Sequence, residues 1–257
     1  MRVLVTGAAG SIGRVVCAGL HDLGHDVRGL DRVEAPTVEV VGDCLDPTTV
    51  AQAIDGAEAV LHLAGTPEED QLALELESHV LTTATLLDAM VVAGVRRMVY
   101  ASSNHAVGMH ESGGVLGADV RPRPDTFYGV AKVAAEATVS LYTDRHDLSG
   151  VALRIGSFLP RPETTRHLAT WLSPADCVRT VQAALSAELH GFAVLYGISA
   201  NTRAWWDLGP GRALGYDPQD DAEAYAAEVA PGPDDDAEGS RVGGPYAGPA
   251  FTRPSHP

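Results

Sequence analysis

The feature that most constrains this chain lies in its first thirteen residues. An apolar run, Val3-Leu4-Val5, enters Thr6-Gly7-Ala8-Ala9-Gly10-Ser11-Ile12-Gly13, and a helical pattern follows. Glycines so placed do three jobs: they allow a tight turn, let backbone approach a pyrophosphate, and let the helix pack on the strand. The free N–H groups and positive dipole end at the helix start then hold the phosphates. The spacing is G-x-x-G-x-x-G rather than G-x-G-x-x-G, so its position between a strand and a helix carries the expectation of dinucleotide binding.

The rest of the chain repeats this alternation, the pattern of a parallel sheet wrapped by helices. Strands are expected at Arg2–Thr6, Asp26–Asp31, Thr37–Val41, Ala57–Ala64, Val95–Ala101, Val151–Gly156 and Phe192–Gly197. Helices are expected at Ser11–Gly24, Pro47–Asp55, about Glu69–Ala93, Thr126–His146 and Pro174–Ala187. Ser173 as N-cap, Pro174 at the first helical position and Asp176 in the first turn mark one helix entry. Gly24, Gly94 and Gly150 fall where helices should stop. Residues 102–125 form a long polar loop holding Ser102-Ser103-Asn104-His105, and loops of that length in compact domains are usually functional.

Composition sets the outer limits. With 257 residues, 45% hydrophobic and 20% charged, the chain suits one large domain, expected over 1–229. A substrate region is expected within it at about 157–175 and 199–229. Residues 230–257 hold six Pro, five Gly and the run Asp234-Asp235-Asp236, so this tail is expected either to be disordered or to lie as a strap over its own or a neighbouring subunit. A net charge of −16 repels a nucleic-acid backbone. Cys17, Cys44 and Cys177, an odd number without short spacing, suit neither a disulfide framework nor a metal site. No apolar run approaches the ~18 residues of a membrane helix, and no signal peptide is visible, so a soluble cytoplasmic protein is expected.

Two positions point to chemistry. Asp31, at the end of the second strand, can accept both ribose hydroxyls of adenosine and repels a 2′-phosphate, which favours NAD over NADP despite Arg28 and Arg32 nearby. After the third strand, Asp43-Cys44 is placed either to reach the adenine edge or to form an N-terminal turn. The sharper signal is Tyr128 and Lys132, four apart and so on one helix face. A phenol near pKa 10 is a poor base, and a neighbouring ammonium stabilises its anion. Of the 18 basic residues 17 are Arg, and the one Lys stands here. A compact ammonium can tune the phenol and also donate to cofactor ribose hydroxyls. Upstream, Ser103 ends a strand and can bond the reacting oxygen, with Ser102 the other candidate.

Thr6-Gly7-x-x-Gly10-x-x-Gly13, a strand-end Ser and Tyr128-x-x-x-Lys132 together resemble the extended short-chain dehydrogenase/reductase superfamily. That resemblance implies an α/β, Rossmann-type doubly wound parallel sheet with a small C-terminal substrate-binding region. Ala101-Ser102-Ser103-Asn104-His105, Arg154-Ile155-Gly156-Ser157, Arg166-x-x-x-Thr170-Trp171, Tyr196-Gly197-x-Ser199-Ala200-Asn201 and Trp205-Trp206-Asp207 are more similar to uronate dehydrogenases. Such enzymes oxidise the anomeric carbon of D-glucuronate or D-galacturonate with NAD, giving an aldarolactone. The resemblance implies catalytic roles for Tyr128, Lys132 and Ser103. It implies a cofactor surface of Gly7, Gly10, Ser11, Ile12, Gly13, Asp31, Asp43, Cys44, Leu63, Ala64, Gly65, Ser102, Tyr128, Lys132 and Ile155. Ser103, Asn104, His105 and Ser157 would contact sugar hydroxyls, and Arg166 would pair with the substrate carboxylate. An Arg fork matches a carboxylate bidentately, which an acidic protein needs if it is to hold an anionic sugar. A homo-oligomer is implied as well.

The sequence departs from that pattern in the loop after the fourth strand. The resemblance implies that Pro67 stands where the family has a Ser that touches substrate, so that contact is either lost or supplied by Thr66, and His79 stands where many members have Asn. A nucleotide-sugar epimerase or dehydratase shares Tyr-x-x-x-Lys, but only about 100 residues follow Gly156, a small allowance for a nucleotide-sugar lobe. A dehydratase also wants a carboxylate acid/base pair beside the Ser, where Asn104-His105 stand instead. A non-catalytic NAD(H)-sensing module needs the glycine turn but not the Tyr–Lys pair.

Overall fold

The opening strand lies near the middle of a seven-stranded parallel sheet. The computed structural model describes residues 1–233, 235 and 239–252. In it, β1 (Arg2–Thr6) leads to α1 (Ser11–Asp22), β2 (Asp26–Asp31), β3 (Val40–Val41), α2 (Pro47–Ile54) and β4 (Ala59–His62). A long helical run follows as α3 (Leu72–Glu75), a π-helical stretch (Leu76–Leu81) and α4 (Thr82–Ala93). Next come β5 (Arg97–Ser103), α5 (Phe127–Arg145) and β6 (Ser149–Ile155). The two-residue strands β7 (Ser157–Phe158) and β8 (Trp171–Leu172) pair with each other on either side of α6 (His167–Thr170). Then α7 (Pro174–Ser186), β9 (Gly191–Gly197) and the short α8 (Gly209–Ala213) follow.

The sheet order is β3-β2-β1-β4-β5-β6-β9, so the chain reverses its direction of travel between β1 and β4. Ligands of such sheets bind outside the carboxyl ends of the strands at this switch point. Register brings the ends level there, with Thr6 beside His62, His62 beside Tyr100, and Ser103 beside Ile155. Alternate residues of β1 face opposite layers. Val3 and Val5 pack with Val16, Leu20 and Val181 of α1 and α7. Leu4 packs with Val50, Leu86, Met90 and Val139 of α2, α4 and α5. Both faces are covered, which is why these strands read as continuous apolar runs.

Local signals act as the residue types require. The Ser173 hydroxyl accepts from Asp176 N–H with Pro174 in the first turn, and the Asp46 carboxylate accepts from Thr48 and Thr49 N–H. Gly94 ends α4 at φ +73°. Gly150 does not end a helix; it sits inside β6, where a side chain would crowd Val139, Phe192 and Thr143, so its role is close packing of α5 on the sheet. The third strand is shorter than expected because residues 37–39 cross β2 at Gly29, where any side chain would meet the Thr37 carbonyl. Leu72–Ala93 is long and apolar enough to cross a membrane by length and composition alone. In the fold it packs on the sheet through Thr83, Leu86, Leu87 and Met90.

Within the 230–257 tail, residues 234, 236–238 and 253–257 lie outside the described residues. The described part is a strap over its own chain. Val242 N–H donates to His110 O at 3.0 Å, Gly243 N–H donates to Gly108 O at 2.9 Å, and Val242 is fully buried.

One buried ion pair ties α5 to the sheet below the site. Glu136 takes both Arg154 Nη2 (2.8 Å) and Arg154 Nε (3.0 Å), and also the Ser102 hydroxyl at 2.5 Å. Removing one partner of such a pair strands the other charge out of water. Glu136→Ala is therefore expected to cost about 3–5 kcal/mol in urea denaturation.

Candidate active site and cofactor cleft

The glycine turn makes a cradle that no side chain fits. Gly7 has φ +71°, and a Cβ on it would stand 2.7 Å from Ala64 N. A Cβ on Gly13 would run into Gly7 O and come within 2.8 Å of Ala8 Cα, so the first turn of α1 lies directly on the loop. The first amides of a helix have no intrahelical acceptor, and here no side chain caps them. Asp31 fastens the same loop, its carboxylate accepting from Ala9 N–H at 2.9 Å and Val33 N–H at 3.1 Å. Asp43 closes a turn by accepting from Leu45 N–H at 2.9 Å, and its carboxylate lies 3.8 Å from Arg32. Cys44 is buried, and burial pushes its thiol up to about 12.

From this cradle a cleft of about 590 Å³ runs along the strand ends. It gathers Gly7, Gly10, Ser11, Ile12, Gly13, Asp31, Asp43 and Cys44 at one end. Leu63, Ala64, Gly65 and Thr66 stand at the middle, and Ser102, Ser103, Tyr128, Lys132 and Ile155 at the other end. All of the expected cofactor and catalytic positions thus share one cavity. Among them Ser102 points its hydroxyl to Glu136, whereas Ser103 faces the phenol of Tyr128.

The loop after β4 sets the height of Tyr128. Glu69 accepts from Phe127 N–H at 2.9 Å and from Tyr128 N–H at 2.8 Å, placing a carboxylate on the positive end of α5. Thr126 caps Gly129 N–H at 2.8 Å. Gly129 itself is needed for close approach, since a Cβ there would meet His105 O. Lys132 Nζ donates to Ala101 O at 2.8 Å and stands 5.2 Å from the centre of the Tyr128 ring, so phenol and ammonium share the face expected of them.

The expected acidification of Tyr128 by Lys132 is outweighed. Burial pushes the phenol up to about 12, with the Ser103 hydrogen bond acting the other way. Burial also pushes the ammonium down to about 7, while Glu75 and Glu136 hold it up. A dry site favours the neutral form of both groups, so Lys132 alone does not make Tyr128 a ready base.

Beyond the phenol lie the expected sugar contacts. Arg166 Nη1 donates to Ser157 Oγ at 3.4 Å. Arg166 Nη2 donates to the Val242 carbonyl at 2.6 Å, and Asn104 Nδ2 donates to the same oxygen at 3.3 Å. The strap thereby brings Asn104, Ser157 and Arg166 together. His105 is held through Nδ1 by Asp125 at 2.9 Å, and its ring lies edge-on between Tyr128 and Tyr246, with centroids 5.8 and 5.1 Å away. Trp206 stacks on Tyr196 within an apolar cluster, a packing role. Glu69, Asp125, Val242 and Tyr246 had no local signal; each acts on a partner distant in sequence.

The family model described as the NAD dependent epimerase/dehydratase family matches residues 3–177. The chain belongs to that family. A uronate dehydrogenase of Pseudomonas syringae pv. tomato is 36% identical over 234 residues, 89% of this chain and 85% of the relative. An NAD-dependent glucose-6-phosphate dehydrogenase of Haloferax volcanii is 36% identical over 256 residues, 89% of this chain and 97% of the relative. A crystal structure of a tyrosine-to-alanine uronate dehydrogenase from Agrobacterium tumefaciens complexed with NAD superposes at a TM-score of 0.89. It is 34% identical and covers 98% of this chain and 99% of that one. This protein is an NAD-dependent dehydrogenase, and the glycine cradle, the uncapped amides and Asp31 fit that cofactor.

Asp31→Ala removes the carboxylate that anchors the glycine loop through Ala9 and Val33 N–H. NAD affinity, measured by calorimetry, is expected to fall about tenfold or more, equivalent to losing one charged hydrogen bond. NADP binding should improve relative to NAD.

Proposed function

We propose that the protein oxidises the anomeric carbon of a hexuronic acid, D-glucuronate or D-galacturonate, to the aldarolactone with NAD. The observation that carries this is the meeting of Tyr128, Ser103 and Lys132 with the glycine turn on one cleft. Asn104 adjoins Ser103, and Asn104 and Arg166 share the Val242 carbonyl outside the cleft lining. When bound, NAD would supply the hydride acceptor.

The chain's own residues do the rest. Ser103 donates a hydrogen bond to the C1 oxygen and fixes it beside Tyr128. Tyr128 Oη takes the C1 hydroxyl proton as the C1 hydrogen departs with its electron pair, so C1 becomes the lactone carbonyl and the ring oxygen stays bonded. Lys132 stabilises the phenolate and holds the cofactor ribose. Arg166 forks onto the substrate carboxylate, and Asn104, His105 and Ser157 contact hydroxyls. Thr66 lines the cleft where Pro67 offers neither hydroxyl nor backbone donor. The named activity of the Pseudomonas and Agrobacterium relatives supports the uronate reading. Exposed apolar residues on the α4 and α5 side, including Val92 at 89%, support a homo-oligomer.

Purified protein with NAD should release NADH from glucuronate or galacturonate, and not from UDP-sugars or glucose 6-phosphate. Net turnover of glucose 6-phosphate alone would move Arg166 to a phosphate site, and interconversion of UDP-sugars without NADH would overturn the proposal. Tyr128→Phe is expected to lower kcat by about 10²–10⁴-fold, the usual worth of a positioned base, with NAD affinity kept. Arg166→Ala should raise KM for uronate by about 100-fold, as losing a bidentate charged contact of about 3 kcal/mol implies. A wild-type KM in that variant would rule out its carboxylate role.

A further inference from the structure

One buried carboxylate beside the expected sugar contacts is used by none of the steps above. Asp125, one residue before the Thr126 cap of α5, has no exposed side-chain surface. Both its oxygens lie against His105 Nδ1, Oδ1 at 3.0 Å and Oδ2 at 2.9 Å. Thr126 Oγ1 accepts from Gly129 N–H at 2.8 Å, so its own proton is free to go to Asp125 Oδ1, 3.2 Å away. Imidazole is a stronger base than a carboxylate, so the proton shared by the two residues sits on Nδ1.

Space for this carboxylate is cleared from two sides. Gly108, which ends the helical turn Asn104–Val107, and Gly243 in the strap have φ −58° and −75°, values that any residue adopts. A Cβ on either would collide with Asp125 Oδ2, so the missing side chains serve the carboxylate and not the backbone. The two glycines are joined to each other, Gly243 N–H donating to Gly108 O at 2.9 Å. The far nitrogen of the imidazole is left open. His105 keeps 19% of its side chain exposed, with the ring edge-on between Tyr128 and Tyr246. Its Nε2 makes no hydrogen bond among the described residues.

We propose that Asp125 is a positioning residue of the sugar site, holding His105 in the Nδ1–H tautomer so that Nε2 accepts a hydrogen bond from a substrate hydroxyl. This rests on the hexuronate reading above and assigns the direction of one of its hydrogen bonds. Which nitrogen of a neutral imidazole carries the proton is set by the bond the other makes. With Nδ1 committed to Asp125, Nε2 offers only a lone pair, and a hydroxyl has to donate to it. A deoxy sugar leaves that lone pair unmet. The strap takes part as well, because the segment that supplies Val242 O also closes one wall around the carboxylate through Gly243.

Nitrogen-15 spectra of histidine-labelled protein read the tautomer without turnover, and His105→Gln identifies the His105 signals among the 10 histidines. The wild type is expected to show a protonated Nδ1 and a bare Nε2. A proton on Nε2 in the wild type overturns the proposal, and that reading needs no variant to fold. In Asp125→Asn the amide oxygen can take the Thr126 proton while the amide nitrogen faces Nδ1 as a donor, so the proton is expected to move to Nε2. KM for glucuronate should then rise about three- to tenfold with kcat kept, as losing one neutral hydrogen bond implies. Gly108→Ala, which keeps every polar group and pushes the carboxylate aside, should raise KM in the same way. On one of 2-deoxy-, 3-deoxy- and 4-deoxyglucuronate Asp125→Asn should match the wild type, because the donating hydroxyl is missing. An equal KM rise on all of them, or a fall in kcat on every substrate alike, marks a merely structural role and overturns the proposal. Absence of uronate oxidation by the wild type would instead overturn the functional proposal, and the tautomer in wild type and Asp125→Asn would still decide whether Asp125 fixes His105.

Discussion

Lys132 Nζ donates to the carbonyl of Ala101, two residues before Ser103, at 2.8 Å. Through that bond α5 is pinned to the end of β5, and the residues of the site take their places from the pin. Tyr128, one turn earlier, comes to face Ser103. Gly129 lets the helix lie close enough for His105 to meet the phenol edge-on. One turn later Glu136 reaches Arg154 on β6 and Ser102 on β5, fixing the helix at a second point. A single face of α5 thus carries a phenol, an ammonium and a structural carboxylate at successive turns. The side-chain directions of an α-helix make that alignment possible.

Dryness is the cost of this arrangement. The burial that makes charges interact strongly also disfavours each charge singly, so the phenol rises to about 12 and the ammonium falls to about 7. The pair Tyr128–Lys132 alone therefore does not favour the phenolate.

What could be read from the sequence was local. The glycine turn, the Ser at the end of β5, the Tyr–Lys spacing and the cap at Ser173 each depend on neighbours within a few positions, and their residue types state their roles. The order of sheet layers followed from alternation of apolar runs. What could not be read depends on contacts between distant segments. Glu69 looks like one more acid in a loop, yet it caps a helix that starts 58 residues later. Val242 contributes only a backbone oxygen, which no side-chain pattern announces. Gly150 resembles a helix stop until the packing of α5 on β6 is seen. Spacing reveals the neighbour of Tyr128 and says nothing about solvent, so the burial that raises its phenol is absent from the sequence pattern.

The carbonyl of Val242 receives hydrogen bonds from both Arg166 and Asn104. On the proposed function, an arriving sugar acid therefore competes with a peptide oxygen of the same chain rather than with bulk water. A neutral guest offers too weak an acceptor to win that exchange, while a carboxylate offers two charged ones. On that reading the strap would act as an internal surrogate that sets a threshold of ligand charge.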